Sequence, residues 1–186
     1  ILKKTFLLLA LGLSLHASGY SGRQEQAPAA QKYAFTIDLT QVKDDKVQVT
    51  LQAPAISQRE IIYIMPKIVP GTYSVSDFGK FISGFTAYDT QGNKLAVQQL
   101  DTNRWQISNA QKLDRITYWV DDTFDAAKRE DVLFEPGGTN IEANKNFLLN
   151  TFGFVGYFED MKQVPYELNI TKPSGFYGST ALQPIA

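Results

Sequence analysis

The sequence predicts an all-β protein, an antiparallel β-sandwich of short strands with one or two short helices. Apolar and polar residues alternate with a period of two in several short segments, as they do in strands with one buried face. Clusters of Gly, Pro, Asn and Asp separate these segments at a spacing of roughly ten residues. This spacing is typical of a sandwich and disfavours alternating β-α units.

Three strands are predicted first along the chain. Apolar residues occupy alternate positions in two neighbouring segments, which we interpret as a hairpin: Tyr33, Phe35, Ile37, Leu39, and then Val47, Val49 and Leu51. Asp44 and Asp45 supply the turn between them. Residues 61–65 are apolar throughout, which predicts a central strand covered on both faces and ended by Pro66.

The next segments predict a turn, a helical turn and four strands. Pro70 presets φ and Gly71 accepts a positive φ, so a type II turn is expected at 69–73. One helical turn is expected at 76–81. Strands are predicted at 84–88, 94–100, 104–107 and 115–120, with a turn at 90–93.

The last third begins with irregular segments. We expect a short helix within 121–133 and a loop at 135–140. Aromatic residues spaced by glycines come next, and we interpret most of them as packing between sheets. Tyr166, Leu168 and Ile170 alternate with polar residues and predict a final strand, which a turn at 172–175 ends.

The N-terminus resembles a secretory signal. Lys3 and Lys4 precede a mainly apolar run at 6–15, and small residues occupy 17–19. The run is about half of the roughly 20 residues that a membrane-spanning helix needs. We therefore predict a signal peptide at 1–19, a disordered linker at 20–31, and a domain at 32–186 that forms the N-terminal part of a longer exported protein, periplasmic or extracellular.

Composition excludes several kinds of site. The 186-residue chain has no Cys, and its single His is His16, inside the predicted signal. The chain beyond the signal therefore cannot supply histidine or thiolate zinc ligands, nor a Ser-His-Asp or Cys-His catalytic arrangement. Loss of Lys3 and Lys4 changes the net charge from −1 to −3. A weakly acidic chain gives no reason to expect nucleic acid or an anionic membrane as a partner.

Carboxylate pairs are the remaining acid-base candidates. They are Asp121 with Asp122, Glu130 with Asp131, and Glu159 with Asp160. Adjacent residues on a strand point to opposite faces, so none of these pairs can flank a glycosidic bond by itself. We interpret them as surface charges and predict no catalytic residue and no metal ligand in this chain.

A series of motifs occurs in a fixed order along the chain, in residues 65–78, 87–89, 92–95, 103–107, 115–118, 135–142, 146–150 and 153–158. They include Pro70 and Gly71, the pair Asp77 and Phe78, a Trp strand and a Tyr strand. This order resembles the N-terminal domain of the glycyl-aminopeptidase-type zinc metallopeptidases, metallopeptidase family sixty-one. Two departures are Lys67, near where many relatives have Trp, and Thr72 in place of the usual Ser.

The resemblance implies an all-β domain ahead of a thermolysin-like catalytic domain, often followed by a PDZ domain. It places zinc and peptide hydrolysis in that catalytic domain, which is also the implied partner of this one. Pro70, Gly71, Thr72 and Tyr73 are our candidates for an interdomain or substrate-binding turn that forms one wall of a peptide cleft. In the alternative interpretation this turn is structural, with Tyr73 packed in the core.

A second function stays open from the sequence: a free-standing module that binds sugars or peptides on aromatic side chains. An exposed cluster among Phe152, Phe154, Tyr157 and Phe158 would favour that module. An apolar patch spanning strand edges near residues 180–186 would favour docking to a following domain.

Overall fold

The computed structural model describes residues 31–124, 133 and 137–185. The predicted signal peptide, the linker up to residue 30, most of the predicted helix at 121–133 and the Glu130 and Asp131 pair lie outside these residues. Within the described residues, no helix has the length and apolar character needed to cross a membrane.

Strands dominate the described chain. Their bounds are β1 Tyr33–Asp38, β2 Lys46–Gln52, β3 Glu60–Ile64, β4 Ile82–Asp89, β5 Val97–Asp101, β6 Arg104–Ser108, β7 Leu113–Asp121, β8 Asn140–Glu142, β9 Asn146–Leu148, β10 Tyr157–Phe158 and β11 Tyr166–Thr171. One sheet has the order β11-β1-β2-β7-β4, another the order β10-β3-β6-β5, and β8 pairs with β9 in a separate hairpin. Short 3-10 helices occupy Phe78–Phe81, Ala110–Lys112 and Thr151–Gly153.

The predicted all-β sandwich is confirmed, and one strand pair differs from the expected antiparallel arrangement. β11 runs parallel to β1, where the Tyr33 N–H donates to the Pro165 carbonyl (2.8 Å) and the Leu39 N–H donates to the Thr171 carbonyl (2.9 Å). A hairpin turn forces its two strands to be antiparallel. β11 is joined to β1 by no such turn, so nothing in the local sequence determines its direction.

The predicted first hairpin is present. Asp44 and Asp45 both have positive φ, 51° and 54°, and Lys43 and Lys46 exchange two backbone hydrogen bonds of 3.0 Å across them. Two successive positive φ values are the signature of a type I′ turn, whose twist matches that of paired strands. The resulting register places the alternating apolar residues of β1 and β2 on the buried face.

β3 departs from the prediction of two covered faces. It is an interior strand between β10 and β6, and Ile61 and Tyr63 are buried. Ile62 and Ile64, on the opposite face, are only half-buried. An apolar run cannot reveal on which side the second layer lies, so both faces looked equivalent in the sequence.

Two buried tyrosine hydroxyls join the sheets. Tyr63 of β3 and Tyr118 of β7 lie with their hydroxyl oxygens 3.0 Å apart. The Tyr118 hydroxyl donates to the Phe154 carbonyl at 2.5 Å, and the Gly156 N–H donates to the Tyr63 hydroxyl at 3.1 Å. Each hydroxyl carries one hydrogen, so Tyr63 must be the donor in the bond between the two tyrosines. The resulting chain of bonds begins at Gly156 and ends at Phe154.

A third hydroxyl continues this attachment toward β10. The Phe158 N–H donates to the Tyr33 hydroxyl at 2.8 Å, and that hydroxyl donates to the Met161 carbonyl at 3.2 Å. Residues 154–161 are thereby held across the end of the sandwich. Burial raises the pKa of Tyr63 and Tyr118 well above the ordinary value, so both hydroxyls stay protonated and able to donate.

A polar contact fixes the first 3-10 helix against the β5–β6 turn. The side-chain carbonyl of Asn103 accepts from the Gly79 N–H at 2.9 Å, and its amide donates to the Asp77 carboxylate at 2.7 Å. Asn103 is 2 % exposed. A Cβ on Gly79 would lie 1.9 Å from the Thr102 carbonyl oxygen, so glycine is required for this close approach.

We predict that the buried tyrosines make the domain sensitive to alkali. Below pH 10 both folded and unfolded states keep the phenolic protons; above it the unfolded state releases them first, because the folded pKa values are raised. The free energy of unfolding should then fall with pH, by up to about 1.4 kcal/mol per pH unit for each tyrosine. Tyr118→Phe should remove one such contribution, measured by urea unfolding between pH 8 and 11.

The matched control is Tyr177→Phe, because Tyr177 is 92 % exposed. Its free energy of unfolding at neutral pH should stay within about 0.5 kcal/mol of the wild type. At neutral pH, Tyr118→Phe should cost about 1 to 3 kcal/mol, because the buried Phe154 carbonyl loses its donor. If the free energy of unfolding of Tyr118→Phe fell above pH 10 as steeply as that of the wild type, Tyr118 would not be a source of the alkali sensitivity.

We also predict that Gly79→Ala destabilises the domain by at least about 2 kcal/mol, since the new methyl group meets backbone rather than a flexible side chain. Gly178→Ala is the control, because the nearest atom to its Cβ would be the Lys172 Cδ at 3.9 Å. Its effect should stay within about 0.5 kcal/mol. Equal unfolding midpoints for the two variants in urea would show that the close approach at Gly79 is not maintained.

Candidate functional site

The predicted turn lies in a loop of residues 67–76 that is closed at its base. The Lys67 carbonyl accepts from the Ser76 N–H at 2.7 Å and from the Asp77 N–H at 3.0 Å. At the tip, the Thr72 N–H donates to the Val69 carbonyl at 3.2 Å, and Gly71 has a φ of 92°. These features match the predicted type II turn. We call this segment the 67–76 loop.

Apolar side chains of the 67–76 loop point into solvent. Tyr73 is 99 % exposed and has a φ of 57°, while Ile68 and Val75 are 49 % and 63 % exposed. The alternative in which Tyr73 packs in the core is therefore wrong. Thr72 is half-buried, and its hydroxyl donates to the Val69 carbonyl at 2.8 Å. The loop has a hydrogen-bonded frame and presents Tyr73 outward.

The aromatic cluster of the last third is divided between core and surface. Phe154 and Phe158 are fully buried, Tyr157 is half-buried and Phe152 is 37 % exposed. A Cβ on Gly156 would lie 2.7 Å from the Tyr63 ring, so this glycine permits aromatic packing. The cluster forms inter-sheet packing, as interpreted from the sequence, and not an exposed platform.

A wide apolar groove opens beside β11. It encloses about 1600 Å³ and is bordered by β1, β11, the β8–β9 hairpin, the first part of the 67–76 loop and the chain from 175 to 185. Apolar side chains on its border remain exposed: Leu148 at 52 %, Tyr166 at 44 %, Ile170 at 45 %, Tyr177 at 92 %, Leu182 at 54 % and Ile185 at 73 %. This patch near residues 180–186 is the one that the sequence associated with docking.

The groove exists because one sheet extends further than the other. In the parallel register, Leu168 lies beside Phe35 and Ile170 beside Ile37, so β11 continues the row that forms the core. The opposite sheet ends in β10, which has only two residues. Phe35 and Ile37 are covered, whereas Ile170 is left uncovered. The groove is thus the uncovered end of the sandwich interior.

The charges around the groove are mostly positive. Four lysines and one glutamate line it: Lys67, Lys145, Lys162, Lys172 and Glu167. A hydrogen bond from Lys32 lowers the pKa of Glu167, so this carboxylate is ionised at neutral pH. Burial raises the pKa of Tyr166, which therefore stays neutral. The surface combines an apolar floor with a basic rim.

The interpretation of the carboxylate pairs as surface charges is wrong for Asp122, which is buried where backbone N–H groups can donate to it. Asp121 forms an ion pair of 2.8 Å with Lys46, and Asp122 accepts from the Phe124 N–H at 2.6 Å and from the Ile141 N–H. Glu159 and Asp160 are exposed. Within the ranges that the structure describes, no three His, Cys, Asp or Glu side chains come together as a possible metal site.

The type II turn at 69–73 and a docking patch near residues 180–186 were expected from the sequence, whereas the extent of the groove along β1 and β11 was missed. The signal was present in the alternation of Tyr166, Leu168 and Ile170, which predicted an apolar face. The sequence did not reveal that β10 would be too short to cover this face. The β8–β9 hairpin, which forms another border of the groove, was also not predicted.

Comparison with known proteins identifies the family of this fold. The family model described as the Peptidase M61 N-terminal domain matches residues 34–186. A crystal structure of an aminopeptidase N family protein from Idiomarina loihiensis has a similar fold, with a TM-score of 0.63 and 22 % sequence identity over 76 % of this chain. The match covers 22 % of that protein, so the present chain spans about a fifth of its length.

Among curated proteins, none matches the sequence at a significant level. The family model nevertheless covers most of the chain, including the 67–76 loop, both packed sheets and the groove. It also agrees with the resemblance found in the order of the sequence motifs. This chain belongs to the M61 peptidase family, of which it carries the N-terminal domain.

Proposed function

We infer that this chain is the non-catalytic N-terminal β-sandwich domain of an exported zinc aminopeptidase-like metallopeptidase, and that it packs against the catalytic domain of the same protein. The family membership supports a peptidase as the parent protein. Because His16 is the only His and no Cys is present, histidine and thiolate ligands for zinc must come from another part of the parent. Export rests on the signal-like N-terminal segment.

The groove is the observation that carries this proposal. A lone domain rarely leaves a large contiguous apolar surface in water, and such a surface usually marks an interface. Here Tyr166 and Ile170 continue the core row of β1, and the other exposed apolar side chains of the patch border the same groove. A second domain that covers the groove would complete the sandwich interior and bury residues such as Tyr166 and Ile170.

The position of the 67–76 loop beside the groove supports a role for it at the interdomain joint. Lys67, Ile68 and Pro70 border the groove, and Tyr73 projects from the same loop. A catalytic domain seated in the groove would therefore have Tyr73 near its edge. We propose that Pro70, Gly71, Thr72 and Tyr73 form one wall of the peptide cleft, with Tyr73 available for contact with a peptide.

A free-standing sugar- or peptide-binding module receives less support. That interpretation needs an exposed aromatic platform, and Phe154 and Phe158 are fully buried. The exposed apolar surface lies instead along β11 and the chain from 175 to 185. The distribution of exposed side chains therefore favours docking to another domain.

We predict that Ile170→Lys in the full-length protein weakens interdomain packing. A charge placed in the groove would have to be buried or would hold the domains apart, and loss of a central interface contact typically costs about 2 kcal/mol or more. The expected results are a lower Tm and faster proteolytic cleavage within residues 172–185. Leu100→Lys is the matched control, because Leu100 is 38 % exposed and lies outside the groove. Identical behaviour of the two variants would refute groove packing.

We predict that Tyr73→Ala in the full-length protein lowers kcat/KM for peptide hydrolysis by about tenfold, corresponding to one lost contact of about 1.4 kcal/mol. Because Tyr73 is almost completely exposed, the melting temperature should not change. Leu100→Ala serves as the control for removal of an exposed apolar side chain elsewhere. Peptide kinetics equal to the wild type, with unchanged stability, would remove the wall role of this loop.

A further inference from the structure

We propose that the free edge of β11 is extended by a β-strand from the part of the protein beyond residue 186, so that the five-stranded sheet continues into the groove. This inference rests on the proposed packing against a following domain and specifies how that contact is made. It assigns part of the contact to backbone hydrogen bonds, in addition to the burial of apolar side chains.

The backbone of β11 is arranged for such pairing. Tyr33 and Leu39 of β1 donate to the carbonyls of Pro165 and Thr171. In a parallel ladder only alternate residues of a strand bond to a given neighbour. Glu167 and Asn169 therefore bond to β1, while the N–H and C=O groups of Tyr166, Leu168 and Ile170 point away from it.

The same three residues carry the apolar side chains of β11. Their side chains continue the core row on one face, and their backbone groups line the outer edge of the sheet. A strand added at this edge would hydrogen-bond to the backbone and place alternate side chains over the groove. Recognition by strand addition uses this combination of backbone pairing and side-chain contacts.

The other edge strands of the two large sheets are irregular or very short, and β11 is neither. β4 has a register shift between Ser83 and Thr86, β5 has one between Gln99 and Asp101, and β10 has two residues. β11 pairs with β1 over six residues without a shift, and its one charged residue, Glu167, is paired with Lys32. Proteins usually interrupt or charge their edge strands to prevent unwanted pairing. An uninterrupted edge among irregular or short ones indicates that a partner covers it.

The path of the chain favours a partner from the same polypeptide. After β11 the chain turns at residues 172–175, and Phe176 packs on Phe147 with ring centroids 5.7 Å apart. Residues 175–180 and 182–185 then line the groove next to β11. The family model describes an N-terminal domain, and the similar solved structure extends well beyond the matched region. A strand soon after residue 186 would be held near this edge at a high effective concentration.

The charge of the groove indicates which residue types the added strand should carry. With four lysines and one glutamate, the lining is basic. A strand with apolar residues on one face and Asp or Glu at its ends would complement it. We therefore specify an alternating apolar segment with acidic flanks in the chain beyond residue 186.

Amide-resolved hydrogen exchange of the full-length protein tests whether the outer edge of β11 is paired with another strand. We expect the Leu168 and Ile170 amides to exchange about 100-fold more slowly than the outward Val97 amide of β5. Val97 is a suitable reference because the bond from the Ser108 N–H to the Ala96 carbonyl leaves the Val97 N–H pointing away from β6. Glu167 and Asn169 should be protected in either case and report that β11 is folded.

The exchange results separate this inference from the proposed packing. Leu168 and Ile170 amides that exchange as fast as Val97, in a protein whose stability Ile170→Lys lowers selectively, would overturn strand addition and leave groove packing intact. Fast exchange combined with no selective effect of Ile170→Lys would refute both. Protection that disappears on dilution would assign the edge to a second copy and would also overturn the proposal.

Photo-crosslinking identifies the segment that pairs with β11. Tyr166 is replaced by benzoylphenylalanine in the full-length protein, and the cross-linked peptides are identified by mass spectrometry. A cross-link to a segment beyond residue 186 of the same molecule is expected. Because the Tyr166 ring already stacks on Tyr33, cross-links within residues 1–186 are expected as a background. Cross-links confined to residues 1–186, or formed between two molecules, would refute the assignment of the strand to the later part of the chain.

Discussion

The hydrogen-bond chain through Tyr63 and Tyr118 is the interaction on which the arrangement of this domain depends. It links β3 of one sheet to β7 of the other and attaches both to residues 154–156. A hydroxyl buried without a partner would cost free energy, whereas here each donor and acceptor is used. The attached segment leads directly into β10, so these two tyrosines position the start of the strand that covers the sandwich interior.

The end of that cover produces the groove. β10 stops at Phe158, while the opposite sheet continues with β11. The core row of β1 is therefore covered, and its continuation on β11 is half-exposed. A domain that acted alone would gain stability by closing this gap with a longer strand. In an N-terminal domain of an M61 peptidase, the function that we propose for the same gap is to receive the catalytic domain.

The groove and the 67–76 loop lie next to each other and would contribute to binding in different ways. The groove is apolar and wide, and its contribution to binding would come from removing side chains from water. The 67–76 loop is narrow and held by backbone hydrogen bonds, and it presents Tyr73 in a left-handed conformation that a non-glycine residue adopts at some cost. One surface can therefore serve both proposed roles: the groove would bind a domain, and Tyr73 at its edge would contact a peptide.

The sequence alone determined the fold class, the first hairpin, the type II turn at Pro70 and Gly71, and the lack of histidine and cysteine beyond residue 16. These features depend on local rules, namely the two-residue period of strands, the allowed φ of Gly and Pro, and residue identity. Only the tertiary structure decided that β11 runs parallel to β1, that Tyr73 is exposed while Phe154 is buried, and that Ile170 is left without cover. The β1–β11 pairing and the gap left at Ile170 depend on strands more than a hundred residues apart, and no local pattern encodes that choice. The exposure of Tyr73 and the burial of Phe154 depend on where the packed sheets end, which residue type alone does not determine.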